Sequence, residues 1–346
     1  MGLALALVAL AAGSPFAGGP VPSLVVDSFR AQARTPSGVE SIAWQGPESL
    51  ALRGKDGDLV EVDGNFSYGA TGLGSGSVER RRFSTRPDGY SELHRFRSVT
   101  EFVLAQARAG TRWLTEATLA GRPAFRTSAP LRANKCGGLE AGRVTIWLDR
   151  ATLLPLRLVQ ERAGQPAQVW SYRYSELNAK LRQSLFSPPV VGEDPYRGDS
   201  GFVRTAPGHA AGPLSYTPSL PAVLPPGFEL AVSGWAPRSG ITGPEGSNPR
   251  SRELFAAVYR RGWETIEVTQ RLAAPQPWFS DPFGAECAFE YVEKAKVGSA
   301  TATYGLAPEI VPHLYWRRGR FLFTISGPFP KSDLVAIAAS LRPLGS

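Results

Sequence analysis

The stretch from Val144 to Pro189 constrains the fold more than any other, because hydrophobic alternation and turn chemistry coincide there repeatedly. Val144, Ile146 and Leu148 share one side of an extended segment, Thr145 and Trp147 take the other, and Asp149-Arg150-Ala151-Thr152 breaks the run. Leu154-Pro155-Leu156-Arg157-Leu158-Val159 returns as a second strand. Arg162-Ala163-Gly164-Gln165-Pro166 then turns into a third, from Ala167 to Ser175. Three antiparallel strands in succession are predicted. An Asp at the start of a turn accepts hydrogen bonds from the turn amides, so Asp149 is read as architecture and not as an acid or base.

The 37 glycines and 30 prolines fall mostly between apolar runs, which favours many short strands over a helical bundle. Val39 to Trp44, Ser49 to Arg53 and Leu59 to Phe66 read as strands, and Ala120-Gly121-Arg122 turns a hairpin. Gly69 to Ser77 lacks the GxxxxGK[ST] pattern and is read as a hairpin tip, not a phosphate loop. Three helices are predicted. One opens the chain over Leu24 to Gln32, and one follows the capping-box pattern Ser98-Val99-Thr100-Glu101 and stops at Gly110. The last is capped by Ser332, with Leu334, Val335, Ile337, Ala338 and Leu341 as its buried stripe. Leu314 to Ile325 reads as one strand bent at Arg318-Gly319.

A chain of 346 residues divides most simply into two domains. Residues 1–22 hold the apolar run Leu3 to Ala12, a signal-like segment without a basic flank, or else a truncated membrane anchor. Residues 23–190 form a first domain, 191–217 a Gly/Pro/Ser-rich linker, and 218–346 a smaller α+β domain. The body is expected outside the cytoplasm: periplasmic, secreted or membrane-anchored.

The formal charge of +8 is dispersed among short clusters such as Arg80-Arg81-Arg82, Arg260-Arg261 and Arg317-Arg318. With no zinc spacing, nucleic-acid motif or basic helix beside them, nucleic acid is not an expected partner. His94, His209 and His313 share no metal-ligand spacing, and no serine or cysteine stands in a nucleophile elbow. No metal, cofactor or catalytic residue is therefore expected. Glu264 and Glu267 read as cross-strand partners of Arg260 and Arg261. The two cysteines, Cys136 and Cys287, allow one intramolecular disulfide in an oxidising compartment; two buried residues that never meet is the other reading.

The segment Leu119-Ala120-Gly121-Arg122-Pro123-Ala124-Phe125 precedes the run Val144 to Asp149, then Leu154-Pro155-Leu156-Arg157 and the close Leu185-Phe186-Ser187-Pro188. Together these resemble the LolA-like and MucB/RseB amino-terminal families over roughly residues 24 to 190. The resemblance implies a mainly β (α+β) fold in which a curved antiparallel half-barrel is covered by helices on its concave side. Members carry lipoproteins between membranes, or sense envelope material and regulate a membrane-bound anti-sigma factor. Such a concave side can hold acyl chains, with Trp44, Phe66, Phe83, Phe96, Phe102, Trp113, Ile146, Leu156 and Trp170 as candidate liners; the alternative is that they fill an ordinary core. Leu224-Pro225-Pro226-Gly227-Phe228 and the later strands and helix are similar to a small bacterial domain found on membrane-anchored regulators, and to the carboxy-terminal half of RseB. Both halves in this order imply a non-enzymatic sensor or regulatory binding protein. Its expected partners are a lipid or acyl-chain ligand and a membrane-bound anti-sigma-type protein. A lipid or lipoprotein carrier is the alternative, and an uncharacterised hydrolase the second.

Overall fold

The structure, a computed structural model, describes residues 22–46, 49–54, 57–62, 66–71, 78–82, 92–110, 114–133, 140–187, 196–199, 203–236, 253–272, 291–308 and 310–345. Six strands come first: β1 (Ser28–Thr35), β2 (Gly38–Gln45), β3 (Ser49–Gly54), β4 (Gly57–Val62), β5 (Phe66–Thr71) and β6 (Val78–Arg82). Helix α1 (Glu92–Arg108) follows. After it come β7 (Thr115–Leu119), β8 (Arg122–Leu131), β9 (Gly142–Asp149), β10 (Pro155–Arg162) and β11 (Gln168–Leu177). With β12 (Tyr196–Asp199) they make a twelve-stranded sheet in the order β12-β6-β5-β4-β3-β2-β1-β11-β10-β9-β8-β7. Among the described residues every pair is antiparallel except β12–β6, and the sheet stays open instead of closing into a barrel. Because β6 and β7 lie near opposite edges, the connection that contains α1 has to cross the sheet.

The predicted meander is β9, β10 and β11, paired with Leu158 opposite both Ile146 and Trp170. The inner face carries Phe29, Ile42, Trp44, Leu50, Ile146, Leu148 and Trp170, all buried. A buried leucine such as Leu148 contributes about 1.5–3 kcal/mol relative to exposure.

Several predicted elements are corrected. The opening helix is absent: Ser28–Thr35 is β1, and its buried Phe29, Ala31 and Ala33 alternate with exposed Arg30, Gln32 and Arg34. Pairing on both sides, with β2 and β11, overrides a weak helical spacing. The helix expected from Ser98 begins at Glu92, so the Ser-x-x-Glu pattern lies inside α1 and not at its start. Leu59 to Phe66 spans two strands, β4 and the start of β5.

The second sheet is wholly antiparallel. Its members are β13 (Val203–Arg204), β15 (Glu229–Ala236), β16 (Leu254–Arg261), β17 (Glu264–Leu272), β18 (Tyr291–Val297), β19 (Ala300–Ala307), β20 (Ile310–Arg318) and β21 (Phe321–Ser326). Their order is β13-β15-β16-β17-β21-β20-β19-β18. Leu314 to Ile325 is therefore a hairpin of β20 and β21 about Gly319-Arg320, with Gly319 at φ +58°, instead of one bent strand. Helix α2 (Pro207–Ala210) and the small pair β14 (Ser219–Pro221) and β22 (Leu341–Pro343) accompany the sheet. Residues 191–217, expected as a linker, contribute β12, β13 and α2.

Helix α3 (Lys331–Ala339) packs on β18, β20 and β21. Leu334, Ile337 and Ala338 are buried in it, Val335 is half-buried, and Leu341 is buried in β22. Its N-cap is Pro330; Ser332 lies inside, and its hydroxyl donates to Asp333 Oδ1. One apolar core runs from the first sheet (Trp44, Ile146, Trp170) through α1 (Phe102, Val103) to the second (Val268, Trp316, Phe323). Among the described residues no helix is long and apolar enough to cross a membrane.

Candidate functional site

The turn after β9 behaves as its sequence predicts. Asp149 Oδ1 accepts from the amides of Ala151 (3.1 Å) and Thr152 (3.0 Å) and from Thr152 Oγ1 (3.1 Å), while Arg122 Nη2 donates to Oδ2 at 2.7 Å. Both carboxylate oxygens are thus committed to holding the turn. The turn also forces Leu153 to φ +56°, a strained conformation for a branched residue, and buries its side chain completely.

Five candidate liners fall in the described interior: Trp44, Phe102, Ile146, Leu156 and Trp170 are all buried, at 5% exposure or less. Trp44 stacks obliquely against Phe29, at 5.6 Å between ring centroids. Phe102 lies 6.3 Å from the ring of Tyr291 on β18, so α1 is engaged by the second sheet at the same level. Phe66 lies on β5 and Phe96 on α1; their side chains, together with Phe83, Trp113, Cys136 and Cys287, lie outside the described residues.

The structure adds a seam between the two sheets. Arg108, at the end of α1, reaches Glu264 Oε1 at 2.6 Å and the carbonyl of Pro328 at 2.7 Å, and its guanidinium sits 4.7 Å from the Phe329 ring. Arg261 approaches the other oxygen of Glu264 through Nε (3.0 Å) and Nη2 (2.7 Å). All three side chains are buried. The Arg261–Glu264 pair was legible as two charges flanking a turn, whereas Arg108 comes from far along the chain and carries no local signal. Nearby, Trp263 Nε1 donates to Thr152 O (3.4 Å), and a Cβ on Gly262 (φ +60°) would lie 2.7 Å from Val26 O. Glycine is what allows that close approach.

A cleft of about 670 Å³ opens where the β20–β21 turn faces the segment before β14. Tyr216, Phe321 and Phe323 form its aromatic wall: Tyr216 meets Phe321 edge-on at 5.2 Å, and Phe323 stacks on Trp316 at 5.2 Å. Arg318 lies over Phe323 (4.9 Å) and Arg320 over Phe321 (5.2 Å), so two exposed guanidiniums border the opening. Tyr216 is fixed from behind, its hydroxyl donating to Gln270 O (2.6 Å) and accepting from Phe255 N (3.1 Å). Burial pushes its phenol above the usual tyrosine range. Gln270 Oε1 in turn accepts from Ser219 N at 2.8 Å. Guanidiniums laid on aromatic rings suit an apolar side chain next to a carboxylate. The sequence reading marked Arg317-Arg318 as a basic cluster but placed Tyr216 in a linker.

No family model and no curated relative matches the sequence. Among solved structures the chain is similar to MucB in the Pseudomonas aeruginosa MucA/MucB complex, with 13% identity over 92% of this chain and 93% of that one and a TM-score of 0.30. MucB in complex with MucA(peri) is 14% identical over the same shares, with a TM-score of 0.28. MucB alone is 14% identical over 92% of each chain, with a TM-score of 0.29. These are members of the group that the residues themselves resemble.

Proposed function

We propose that the protein is a non-enzymatic, extracytoplasmic regulatory binding protein whose second sheet takes a segment of a membrane-associated partner, of anti-sigma type. The observation that carries this reading is the cleft, an aromatic wall bordered by Arg318 and Arg320 and fixed by the Tyr216–Gln270 and Ser219–Gln270 hydrogen bonds. An acidic, apolar-flanked segment fits that chemistry. In the same reading the inner side of the first sheet holds a lipid-like ligand. Since Trp44, Phe102, Ile146, Leu156 and Trp170 are packed, an acyl chain enters only as α1 shifts. Arg108 then couples that shift to Glu264 in the second sheet. The division into 23–190, the connecting 191–217 and 218–346 belongs to this proposal.

The test is recovery of the full chain from its native envelope, with identification of both the proteins and the lipids that accompany it. A membrane protein retained by the wild type and lost from an Arg318→Glu/Arg320→Glu double variant supports the reading. Stoichiometric lipid with no protein partner points instead to a lipid or lipoprotein carrier, and retention of the partner by the double variant removes the cleft from the site.

A further inference from the structure

The first sheet has an outer face that the proposed partner cleft does not use. Part of it is covered: Leu181, Leu185 and Phe186 pack on Ala43 and Ala51 of β2 and β3. From β8 to β1 the outer face is arranged differently. Arg126, Trp147, Arg157, Ser171 and Arg34 stand opposite one another on β8, β9, β10, β11 and β1, one residue per strand in a single row. Strand spacing puts Arg126 and Arg34 about 19 Å apart. Trp147 lies between the guanidiniums of Arg126 (5.3 Å from the ring centroid) and Arg157 (5.5 Å). Arg173 stands in the adjacent outward position of β11. Among the described residues no ion pair engages Arg34, Arg126, Arg157 or Arg173, whereas Arg30 on the same face is paired with Glu176 at 3.4 Å. Two exposed valines flank the row, Val39 at 51% and Val169 at 36%.

We infer that this face docks on an anionic phospholipid bilayer. Four cations without an ion pair among the described residues, spread over a sheet face, match a surface of repeated phosphates better than a single ligand. The ladder hydrogen bonds of β8 to β1 are closed between neighbours, so the face offers neither an edge nor a groove to an extended peptide. Arginine stems, an indole and exposed valines also suit the boundary between headgroups and acyl chains. This inference does not rest on the partner cleft.

The test measures binding of the full chain to phosphatidylcholine vesicles with and without phosphatidylglycerol, at low and at high salt. The apolar run near Met1 can bind either vesicle, so the readout is the increment due to the anionic lipid. That increment is expected to fall about five-fold for each of Arg34→Gln and Arg157→Gln, to fade at high salt, and to persist in Arg318→Gln/Arg320→Gln. Thermal unfolding of each variant establishes that it is folded. An absent increment, or one that survives loss of both Arg34 and Arg157, overturns the inference. Binding of poly-glutamate with no anionic-lipid increment overturns it as well, and assigns the face to an acidic protein.

Discussion

Strands β1 and β16, one in each sheet, treat charge in opposite ways. Along β1 the buried positions Phe29, Ala31 and Ala33 alternate with exposed Arg30, Gln32 and Arg34, whereas every residue of β16 is buried, on both faces. A strand with one wet face can carry an arginine without a partner, because water solvates it. A strand with two covered faces cannot, and there Arg108 and Arg261 share Glu264. A strand with a wet face is therefore free to display cations, while one covered on both faces, as β16 is, must neutralise them.

The largest break in this comparison comes from removing the shared carboxylate. Glu264→Ala leaves two buried guanidiniums uncompensated and is expected to cost about 5 kcal/mol, at the upper end for a broken buried pair. A urea midpoint barely changed would mean that the seam is hydrated. In the first sheet, Leu148→Ala removes a fully buried side chain beside the Asp149 turn and should cost about 3 kcal/mol by the same measurement.

An alkaline titration sharpens the comparison next. Burial raises the phenols of Tyr216, Tyr259 and Tyr304, all in the second half, and of Tyr174 in the first sheet. The native state holds these protons more tightly than the unfolded chain, so their stabilisation is complete below the ordinary tyrosine pKa of about 10 and is lost as pH rises above it. With three such groups in the second half, about 2 kcal/mol should be lost there by about pH 10.5. Hydrogen exchange near that pH should then open β16 and β17 before β9 and β10. The reverse order would place the weaker half in the first sheet.

How much of this was legible follows from where each signal resides. The β9–β11 meander and the Asp149 turn are written locally: alternation with a wet face leaves a period of two, and a carboxylate bonds amides two and three residues on. The helical reading of Leu24 to Gln32 failed because apolar spacing over one short strand is ambiguous, and only pairing with β2 and β11 decides it. The Ser98 capping box failed because the pattern exists inside a helix as readily as at its start. Arg108–Glu264 and the cleft between Tyr216 and Phe321 depend on contacts between distant segments, which leave no mark on either one.

The smallest expected effect tests the comparison most directly, because the same substitution is made on the wet face of β1 and in the buried seam at the end of α1. Arg34→Gln removes an outer-face cation for which no ion pair exists among the described residues, and stability should change by less than about 0.5 kcal/mol. Relief of repulsion from Arg173 and Arg157 would offset the small loss of packing along its stem. Arg108→Gln keeps a polar side chain but strips the charge facing Glu264, and about 3 kcal/mol should be lost. Added salt should narrow the Arg34 difference and leave the Arg108 difference nearly unchanged, since ions screen an exposed face and do not reach a buried one. If Arg34→Gln instead costs 2 kcal/mol or more, a covering segment must neutralise that face, and the contrast between a displaying face and a neutralising seam fails at its first member.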